Sequence, residues 1–334
     1  MWAIHAIVGI CLAIGALFGV QQAASVGMPV PIPTNAASST ADTLSTAPVT
    51  VLAFGDLMLD RTVRTHLEQA GDSYPFQQIQ SVLARRDIVV ANAEGVFGDR
   101  ESISQTDFST LRFTFATSTL MTLHALGFTE LSQANNHTFD FGAEALAESE
   151  LAIHAAGITP FGNFQNNDPS SPEQNIRGQR IAFVGYNEFS HSNLDRVLVA
   201  ISSAKAQGDF VIVYPHWGVE YNLGTTSEQV VLGHQFVDAG ADVIFGSHPH
   251  VVEPVEIYQG KPIFYSLGNF VFDQSFSQET SEGLAVDLSL SATSATYTLR
   301  PFTITRAAPS LMDATSTRAF LAKHNVPTSI LLPR

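Results

Sequence analysis

The sequence predicts a layered α/β fold, and three observations lead to that prediction. From residue 49 to about residue 245, short apolar runs typical of buried strands alternate with amphipathic segments typical of helices. After residue 253 the chain predicts four strands in succession without helices between them, which indicates an antiparallel edge or a second sheet. At 334 residues the chain is long enough to bury a substantial core.

The first half of the folded region has a strand–helix rhythm that polar segments interrupt. Its predicted strands cover residues 49–54, 88–91, 128–133 and 158–161. Its predicted helices cover residues 75–85, 120–126 and 142–156, and a glycine follows each of the last two. Residues 97–119 and 161–177 are polar and irregular, so they are predicted to be loops, the first covering one side of a site.

The second half repeats this rhythm and then changes to strands alone. The alternating part predicts a strand at 181–186, a helix at 195–207, a strand at 210–215, a helix at 227–239 and a strand at 243–245. The later predicted strands cover residues 254–258, 261–266, 283–290 and 296–305. Residues 309–334 are predicted to be a C-terminal tail with a short helix.

The first 48 residues are predicted to precede a single folded domain at residues 49–308. Residues 2–20 are apolar and uncharged, and small residues follow at Ala23, Ala24 and Ser25. Residues 1–25 are therefore predicted to be a signal peptide or a membrane anchor, and both alternatives remain open. Residues 26–48 are rich in Pro, Ser, Thr and Ala and predict a disordered linker. Either alternative predicts an extracytoplasmic domain, membrane-anchored or secreted.

The charge balance limits the classes of ligand. Acidic residues outnumber basic residues 31 to 16, and the net charge is −15. Binding of nucleic acid in general needs a basic face, so it is excluded as the expected function. An anionic substrate would have to be met by local cations, such as metal ions or particular arginines.

Polar side chains follow five of the predicted strands directly. They are Asp56, Glu94 with Asn92, Asn136-His137 after Asn135, His216, and the pair His248 and His250. In layered α/β folds, ligands bind at the carboxyl ends of the strands. A mixture of carboxylate, amide oxygen and imidazole is a plausible ligand set for one or two Mn, Fe or Zn ions.

Several of these side chains also have structural interpretations. Asp56 could cap the following helix, and Asn92 and Asn135 could be turn residues, which is the favoured reading for Asn135. Glu220 could support His216 or be a solvated carboxylate. Met58 is expected in the core.

The order and spacing of the motifs resemble those of a known family. The motifs are Gly55-Asp56, Asn92-Ala93-Glu94, residues 134–142, residues 216–221, residues 246–250 and residues 266–270. Together they resemble the bacterial capsule synthesis protein CapA family, which is itself similar to the calcineurin-like metallophosphoesterases. The resemblance extends over about residues 49–273. It implies a metallophosphoesterase-like sandwich of two mixed β-sheets flanked by helices.

The resemblance also implies roles for individual residues. Glu94 would bridge two metal ions, Asp56 and His250 would serve the first ion, and the second would take the remaining ligands Asn136, His216 and His248. His137 would be the general acid or the group that stabilises the transition state, and Asp140 could orient it. The candidates for substrate binding are Arg61, Arg112, Glu220 and Asn269.

The chain departs from the phosphoesterase pattern at two positions. Met58 stands where that pattern has a histidine two residues after the first aspartate, and a thioether is a poor ligand for hard divalent ions. Thr138 stands where phosphoesterases place an acid after the histidine. The first metal is therefore expected to be the weaker one, absent, or supported by Asp60 or a water. His248 is expected to be a safer ligand than His250.

Three functions follow as expectations. The first is an exported divalent-metal hydrolase of phosphoester-like bonds in the synthesis or export of a poly-γ-glutamate capsule polymer. The second is a membrane-tethered, non-catalytic assembly factor of the capsule machinery. The third is a phosphatase or nucleotidase unrelated to capsule. The expected partners are an anionic cell-surface polymer or its synthase subunits, together with the membrane through the N-terminal segment.

Overall fold

Two mixed β-sheets face each other in the computed structural model of the chain, and helices cover the outer face of each. The structure describes residues 47–107, 109–163, 168–190, 193–324, 326 and 329–333. All of these fall within one compact unit. The layered sandwich predicted from the sequence is therefore confirmed. The proposed signal or anchor segment and nearly all of the linker lie outside the described residues.

The strands and helices follow in close succession along the chain. The strands are β1 Val49–Leu57, β2 Ile88–Ala93, β3 Val96–Phe97, β4 Thr114–Phe115, β5 Glu130–Ser132, β6 Thr159–Phe161, β7 Gln174–Ile176, β8 Gln179–Asn187, β9 Phe210–His216, β10 Val243–Phe245, β11 Val255–Tyr258, β12 Lys261–Phe264, β13 Asn269–Val271, β14 Glu282–Leu290, β15 Ser294–Thr305, β16 Ala308–Leu311 and β17 Ser329–Pro333. The helices are α1 Arg61–Ala70, α2 Gln80–Leu83, α3 Ser118–Ala125, α4 Gly142–Ala155, α5 Leu194–Ala206, α6 Ser227–Ala239 and α7 Ala314–Lys323.

The topology brings the carboxyl ends of the central strands to one edge. Within the described residues, the first sheet has the order β16-β15-β14-β1-β2-β5-β6, with β13 beside β1 and β17 beside β15. The second sheet has the order β11-β12-β10-β9-β8-β7. Strands β1, β2, β5 and β6 are mutually parallel, and so are β8, β9, β10 and β12. Their polar extensions therefore meet at the same edge of each sheet.

Burial on both faces explains why the central strands are continuous apolar runs. In β1, Val51 and Ala53 pack in the core between the two sheets. Leu52 and Phe54 alternate with them and pack in the core on the outer side of the first sheet. Successive side chains of a strand point to opposite faces, so a strand inside a layered sandwich needs apolar residues at every position.

The helices complete the two outer layers. Val63 of α1, Leu123 of α3 and Ile153 of α4 pack on the first sheet. Val197 of α5 and Phe236 of α6 pack on the second sheet. No helix in the described part of the chain is long and apolar enough to cross a membrane.

Several local predictions differ from the structure. Helix α1 was not predicted, because its sequence is rich in threonine and charged residues and buries only Val63 and Leu67. The predicted helix at 75–85 is a 3₁₀ turn at Tyr74–Phe76 followed by the four-residue α2. It ends where Arg85 takes a left-handed φ of 64°. Strands β3 and β4 lie in one predicted loop, β7 lies in the other, and β17 adds a strand to the tail.

Gly55 allows a close approach at the site edge, and its replacement should destabilise the fold. A Cβ atom on Gly55 would lie 1.8 Å from the carbonyl oxygen of Gly268. Because backbone atoms must move to accommodate it, Gly55→Ala should lower the free energy of unfolding by about 3 kcal/mol. Urea unfolding measures this. The matched control is Gly224→Ala, where a Cβ would meet nothing within 4 Å. Equal stability of the two variants would contradict the prediction.

Candidate metal centre

The polar residues that follow the central strands converge from both sheets. Asp56 lies near the end of β1, with its amide donating to the carbonyl of Gly268 at 3.0 Å. Glu94 follows β2 directly, and His216 ends β9. The loop after β10 is joined to the end of β9, because the Ser247 amide donates to the carbonyl of Pro215 at 2.9 Å. Asn136 and His137, which follow β5, contact His216 and Glu94, so five strand ends contribute to one cluster.

Three ionisable side chains in this cluster have the spacing of a metal site. Among the residues that the structure describes, Asp56, Glu94 and His250 offer ligand atoms that all lie within 4.8 Å of one another. The Nδ1 atom of His250 lies 3.3 Å from Asp56 Oδ2, and its Nε2 atom lies 3.7 Å from Glu94 Oε1. All three side chains are buried.

The carboxylate of Glu94 provides the test of whether a cation fits here. Both of its oxygens are buried and have no hydrogen-bond partner. An ionised carboxylate removed from water without compensation is strongly unfavourable, so buried charges are normally paired or bound to metals. Two unsatisfied carboxylate oxygens beside Asp56 and His250 are a donor set that fits a divalent cation.

The pKa values of this group follow from burial and from the neighbouring charges. Burial raises the pKa of Glu94 well above its usual range, although the charge of His250 opposes the change. Burial alone would lower the pKa of His250, but the carboxylates of Glu94 and Asp56 outweigh it and raise this pKa to about 9. A proton on His250 thus partly neutralises the two acids when no metal does.

Asn269 determines which nitrogen of His250 can be a ligand. Its Nδ2 atom donates to the carbonyl of Thr280 at 3.0 Å, and a carbonyl can only accept, so its Oδ1 atom must face His250. That Oδ1 lies 3.0 Å from His250 Nδ1, which therefore carries the hydrogen. The Nε2 atom is left as the ligand atom facing Glu94. Partners that fix the orientation and tautomer of a histidine in this way are typical of metal sites.

A second group of ligand atoms lies beside the first. The Nε2 atom of His216 is 2.8 Å from Asn136 Oδ1 and 3.1 Å from His248 Nδ1. Burial lowers the pKa of His216 well below its usual range, and the neighbouring histidines add to the effect. Burial and the charge of His250 lower the pKa of His248 to about 3. Both imidazoles are therefore neutral near pH 7, the form in which histidine binds metals.

The turn that carries His248 and His250 has an unusual backbone. Their φ angles are 99° and 60°, in the left-handed region that non-glycine residues rarely adopt. Close approach of another segment contributes, because a Cβ atom on Gly246 would lie 1.9 Å from the carbonyl oxygen of Tyr265. Backbone strain of this kind concentrates at functional sites, where the surrounding structure maintains it.

Asn92 connects the two ligand groups, a role that sequence reasoning missed. Its Nδ2 atom donates to Asp56 Oδ1 at 2.8 Å and lies 3.2 Å from His216 Nδ1. Asn135 donates to Asn92 Oδ1 at 3.1 Å, and its own Oδ1 accepts from the His137 amide, as expected of a turn residue. Ser247 Oγ lies 3.1 Å from His216 Nδ1 and supports the same ring. The strand-end positions of both asparagines were the available signal.

His137 and Asp140 form the pair that the resemblance implies. The Nδ1 atom of His137 lies 2.8 Å from Asp140 Oδ2, and its Nε2 atom lies 3.7 Å from Glu94 Oε1. The backbone amide of Phe113 donates to the same Asp140 oxygen at 2.7 Å. The Phe113 ring also packs on the imidazole with ring centroids 4.2 Å apart. His137 is therefore held in one orientation at the edge of the carboxylate group.

The four candidates for substrate binding occupy different environments. Arg61 pairs with Asp273 at 3.4 Å, and Arg112 donates to the backbone oxygen of Asp140 at 2.7 Å. Glu220 is exposed, and its hydrogen-bond partner is Tyr221, which favours the solvated reading. Asn269 is fully buried behind His250, so its contacts indicate positioning of the ligand. Substrate contact by these residues stays a prediction.

Met58 is part of the core, as expected, and Asp60 has another function. Met58 is fully buried, and its sulfur accepts from the Asp60 amide at 3.1 Å. Asp60 caps α1, and its oxygens accept from the Arg61 amide at 2.8 Å, from the Thr114 amide at 2.9 Å and from the Ser102 hydroxyl. Neither replaces the missing histidine. The buried group with two carboxylates lies at His250, and the expected ranking of the two histidines as ligands stays a prediction.

The fold and this cluster define a layered α/β protein with a candidate metal centre at the shared edge of its sheets. The family model described as bacterial capsule synthesis protein PGA_cap matches residues 50–274. The chain belongs to this family, which confirms the resemblance found in the sequence.

Three named relatives agree with this membership. The chain is 34% identical over 251 residues to the PGA biosynthesis protein CapA of Bacillus subtilis, covering 69% of this chain and 65% of that protein. It is 31% identical over 258 residues to the capsule biosynthesis protein CapA of Bacillus anthracis, covering 71% and 62% respectively. A probable polyglutamine synthesis accessory protein of Mycobacterium tuberculosis is 29% identical over 167 residues, covering 42% of this chain and 44% of that protein. The matched region thus spans just under two thirds of each Bacillus relative.

Removal of the Asn269 amide should weaken metal binding without unfolding the protein. Asn269→Leu removes the Oδ1 acceptor of His250 Nδ1 and leaves this nitrogen only its longer 3.3 Å contact with Asp56 Oδ2, so Mn²⁺ affinity should fall about 10- to 100-fold. Isothermal titration of the full chain measures it. Asn175→Leu, at an exposed position on β7, is the control and should bind as the unmodified chain does. Unchanged affinity in Asn269→Leu would contradict the tautomer assignment.

Metal affinity should also rise with pH. His250 must lose a proton before its Nε2 atom can bind a metal, and its pKa is about 9. Glu94, whose pKa is also raised, must be ionised as well, so between pH 6 and 8 Mn²⁺ affinity should increase at least about tenfold per pH unit, with release of at least one proton. His250→Gln should bind more weakly and show a shallower slope. Affinity independent of pH over that range would show that His250 is not a ligand.

Proposed function

We propose that this chain is a divalent-metal hydrolase that acts on a phosphoester or a related bond during capsule polymer synthesis or export. One observation carries the proposal: Glu94 presents two buried carboxylate oxygens without hydrogen-bond partners, next to Asp56 and His250. The family of the chain supplies the biological setting, because the relatives are named for capsule and polyglutamate biosynthesis.

The residues divide into two ligand groups in this proposal. Asp56, Glu94 and His250 would hold the first ion, Mn, Fe or Zn. A second ion would take Asn136 Oδ1, His216 Nε2 and His248 Nδ1, which already converge. A bound pair of such ions would polarise the phosphoryl oxygens and neutralise the charge that develops on them. Asn92 would fix the position of the two groups relative to each other, because it contacts Asp56 in the first and His216 in the second.

His137 would move the proton that hydrolysis requires. Asp140 accepts from its Nδ1 atom, so the Nε2 atom is the one directed into the cluster. From there it would donate a proton to the leaving oxygen, and Asp140 would stabilise the imidazole while it is charged. The buried walls around Glu94 would exclude bulk water from the reacting bond and strengthen these electrostatic interactions.

One observation favours the alternative of a non-catalytic assembly factor. Met58 is locked in the core where a phosphoesterase has a ligand, so the first group has three protein ligands. A factor of this kind would keep the fold and one structural ion and would bind the polymer or its synthase subunits. It would fold and bind metal but would hydrolyse nothing.

The cellular setting belongs to the same proposal. Residues 1–25 would direct export and either be cleaved or anchor the chain, with the domain outside the cytoplasm. The partners would be an anionic surface polymer or the enzymes that make it, and nucleic acid would not be one. The acidic net charge of −15 supports this last point.

Metal analysis and turnover together test the proposal. The full chain should contain up to two equivalents of Mn, Fe or Zn and hydrolyse bis(p-nitrophenyl) phosphate, and Glu94→Ala should lose both metal and activity. His137→Gln should keep the metal but lower kcat by about 100- to 10,000-fold, because only the proton transfer is removed. Elemental analysis and steady-state kinetics measure the two effects separately.

The exposed His154, in the last turn of α4, offers a matched control. His154→Gln should keep both metal content and kcat. A folded, metal-loaded chain that hydrolyses no phosphoester would reject the hydrolase and leave the assembly factor, and a folded chain without metal would reject both. A metal-loaded chain whose slow turnover is unchanged in His137→Gln would reject His137 as the acid.

A further inference from the structure

Half-exposed apolar side chains lie near the polar cluster, some in contact with its histidines and others in the segments that follow them. Phe139, Phe189, Val219, Tyr221, Leu223 and Phe276 are between 41% and 66% exposed. Phe139 lies two residues after His137, and Val219, Tyr221 and Leu223 lie in the loop after His216. Large apolar groups are usually withdrawn from water, so their concentration beside one site indicates a binding surface.

Phe189 covers one of the two turn histidines. Its ring lies 4.1 Å from the ring of His248, centroid to centroid, and 6.0 Å from that of His216. The loop that carries it is well anchored: the Glu188 amide donates to the His216 carbonyl at 3.0 Å, and Asn187 Oδ1 accepts from the Phe189 amide at 3.0 Å. The ring is held in position while 47% of the residue remains exposed.

Tyr221 covers the other histidine in a comparable way. Its ring is stacked on that of His250 at 5.9 Å with an interplanar angle of 30°, and Phe276 packs edge-on against it at 5.0 Å. Its φ angle is 64°, and its amide donates to the carbonyl of Pro249 at 2.8 Å. A left-handed non-glycine backbone is unfavourable, so the structure around it maintains this position of the ring.

We propose that Phe189 and Tyr221 are specificity-determining residues that bind a flat-faced ring, an aryl or sugar ring, next to the reacting group of the substrate. This inference rests on the proposed metal centre, because the two rings flank its histidines. Each ring is attached to a separate anchored loop and retains an exposed surface beside a candidate ligand. Two aromatic rings beside the same turn offer more contact surface to a substrate with a ring than to a small polar ester.

Aromatic chemistry favours a ring over an aliphatic chain. The face of an aromatic side chain is electron-rich and attracts the polarised edges of other rings, which adds specificity to simple burial. The hydroxyl of Tyr221 accepts from Gln274 Nε2 at 3.1 Å, so polar groups lie at the edge of this ring. An apolar face with polar groups at its margin is the usual pattern of pockets that orient a small ligand.

A set of phosphonates separates ring recognition from catalysis, because these compounds bind without being hydrolysed. The full chain, loaded with Mn²⁺, is titrated with phenylphosphonate, methylphosphonate and hexylphosphonate in a calorimeter. Phenylphosphonate should bind about fivefold or more tightly than methylphosphonate, and hexylphosphonate should gain less. Phe189→Ala and Tyr221→Ala should each remove most of the preference for phenyl while leaving Mn²⁺ content unchanged.

The controls distinguish the ring from apolar area alone. Phe189→Leu and Tyr221→Leu keep apolar surface without a ring, so they should also lose the preference for phenyl. Leu151→Ala, on the exposed face of α4, should keep it. Equal affinity for the phenyl and methyl compounds, no binding of either, or an equal gain from the hexyl chain would overturn the inference. Phenyl preference in a chain that hydrolyses no phosphoester would support ring recognition while rejecting the proposed hydrolase.

Discussion

The buried carboxylate of Glu94, which makes no hydrogen bond, is the constraint on which the rest of the site depends. Both of its oxygens lack a hydrogen-bond partner, and the carboxylate of Asp56 lies in the same buried group. Two acids in a dry environment repel each other and lose hydration, so the fold must supply positive charge. His250 supplies part of it when protonated, and a divalent cation would supply more. The raised pKa values of Glu94 and His250 have the same origin, because both residues take up a proton more readily in a buried group with two acids.

Amides tied to the backbone keep the ligand atoms in place around that carboxylate. Asn269 is fixed through the carbonyl of Thr280, and Asn135 through the carbonyl of Ala93 at 2.8 Å. Asn135 in turn orients Asn92, and Asn92 contacts Asp56 and His216. A carbonyl can only accept, so each chain of hydrogen bonds has a defined direction from backbone to ligand. These asparagines therefore tie the positions of the ligand atoms to the backbone of the sheets, and the individual side chains have little freedom to move.

The layered fold and the strand-end positions of the candidate ligands could be predicted because they depend on local patterns. Continuous apolar runs identify strands that are buried on both faces, and polar residues directly after them identify the binding edge. Helix α1 could not be predicted this way, because it buries only Val63 and Leu67 and therefore lacks a continuous apolar face. The role of Asn92 as the link between the two ligand groups could not be predicted either, since it depends on the pairing of Asp56 with Asn92 across β1 and β2. The covering of His248 and His250 by Phe189 and Tyr221 depends on loops distant in sequence.

The replacement of a ligand by Met58 need not remove catalysis. A structural metal site is closed by protein ligands, whereas a catalytic site keeps positions open for substrate. In the proposed hydrolase, Asp56, Glu94 and His250 would leave such positions, because Met58 is packed in the core. An ion with three protein ligands would be held more weakly, and the charge of the two carboxylates would offset this. Met58 at this position is therefore compatible with the proposed catalytic site, in which the adjacent aromatic rings would orient the substrate.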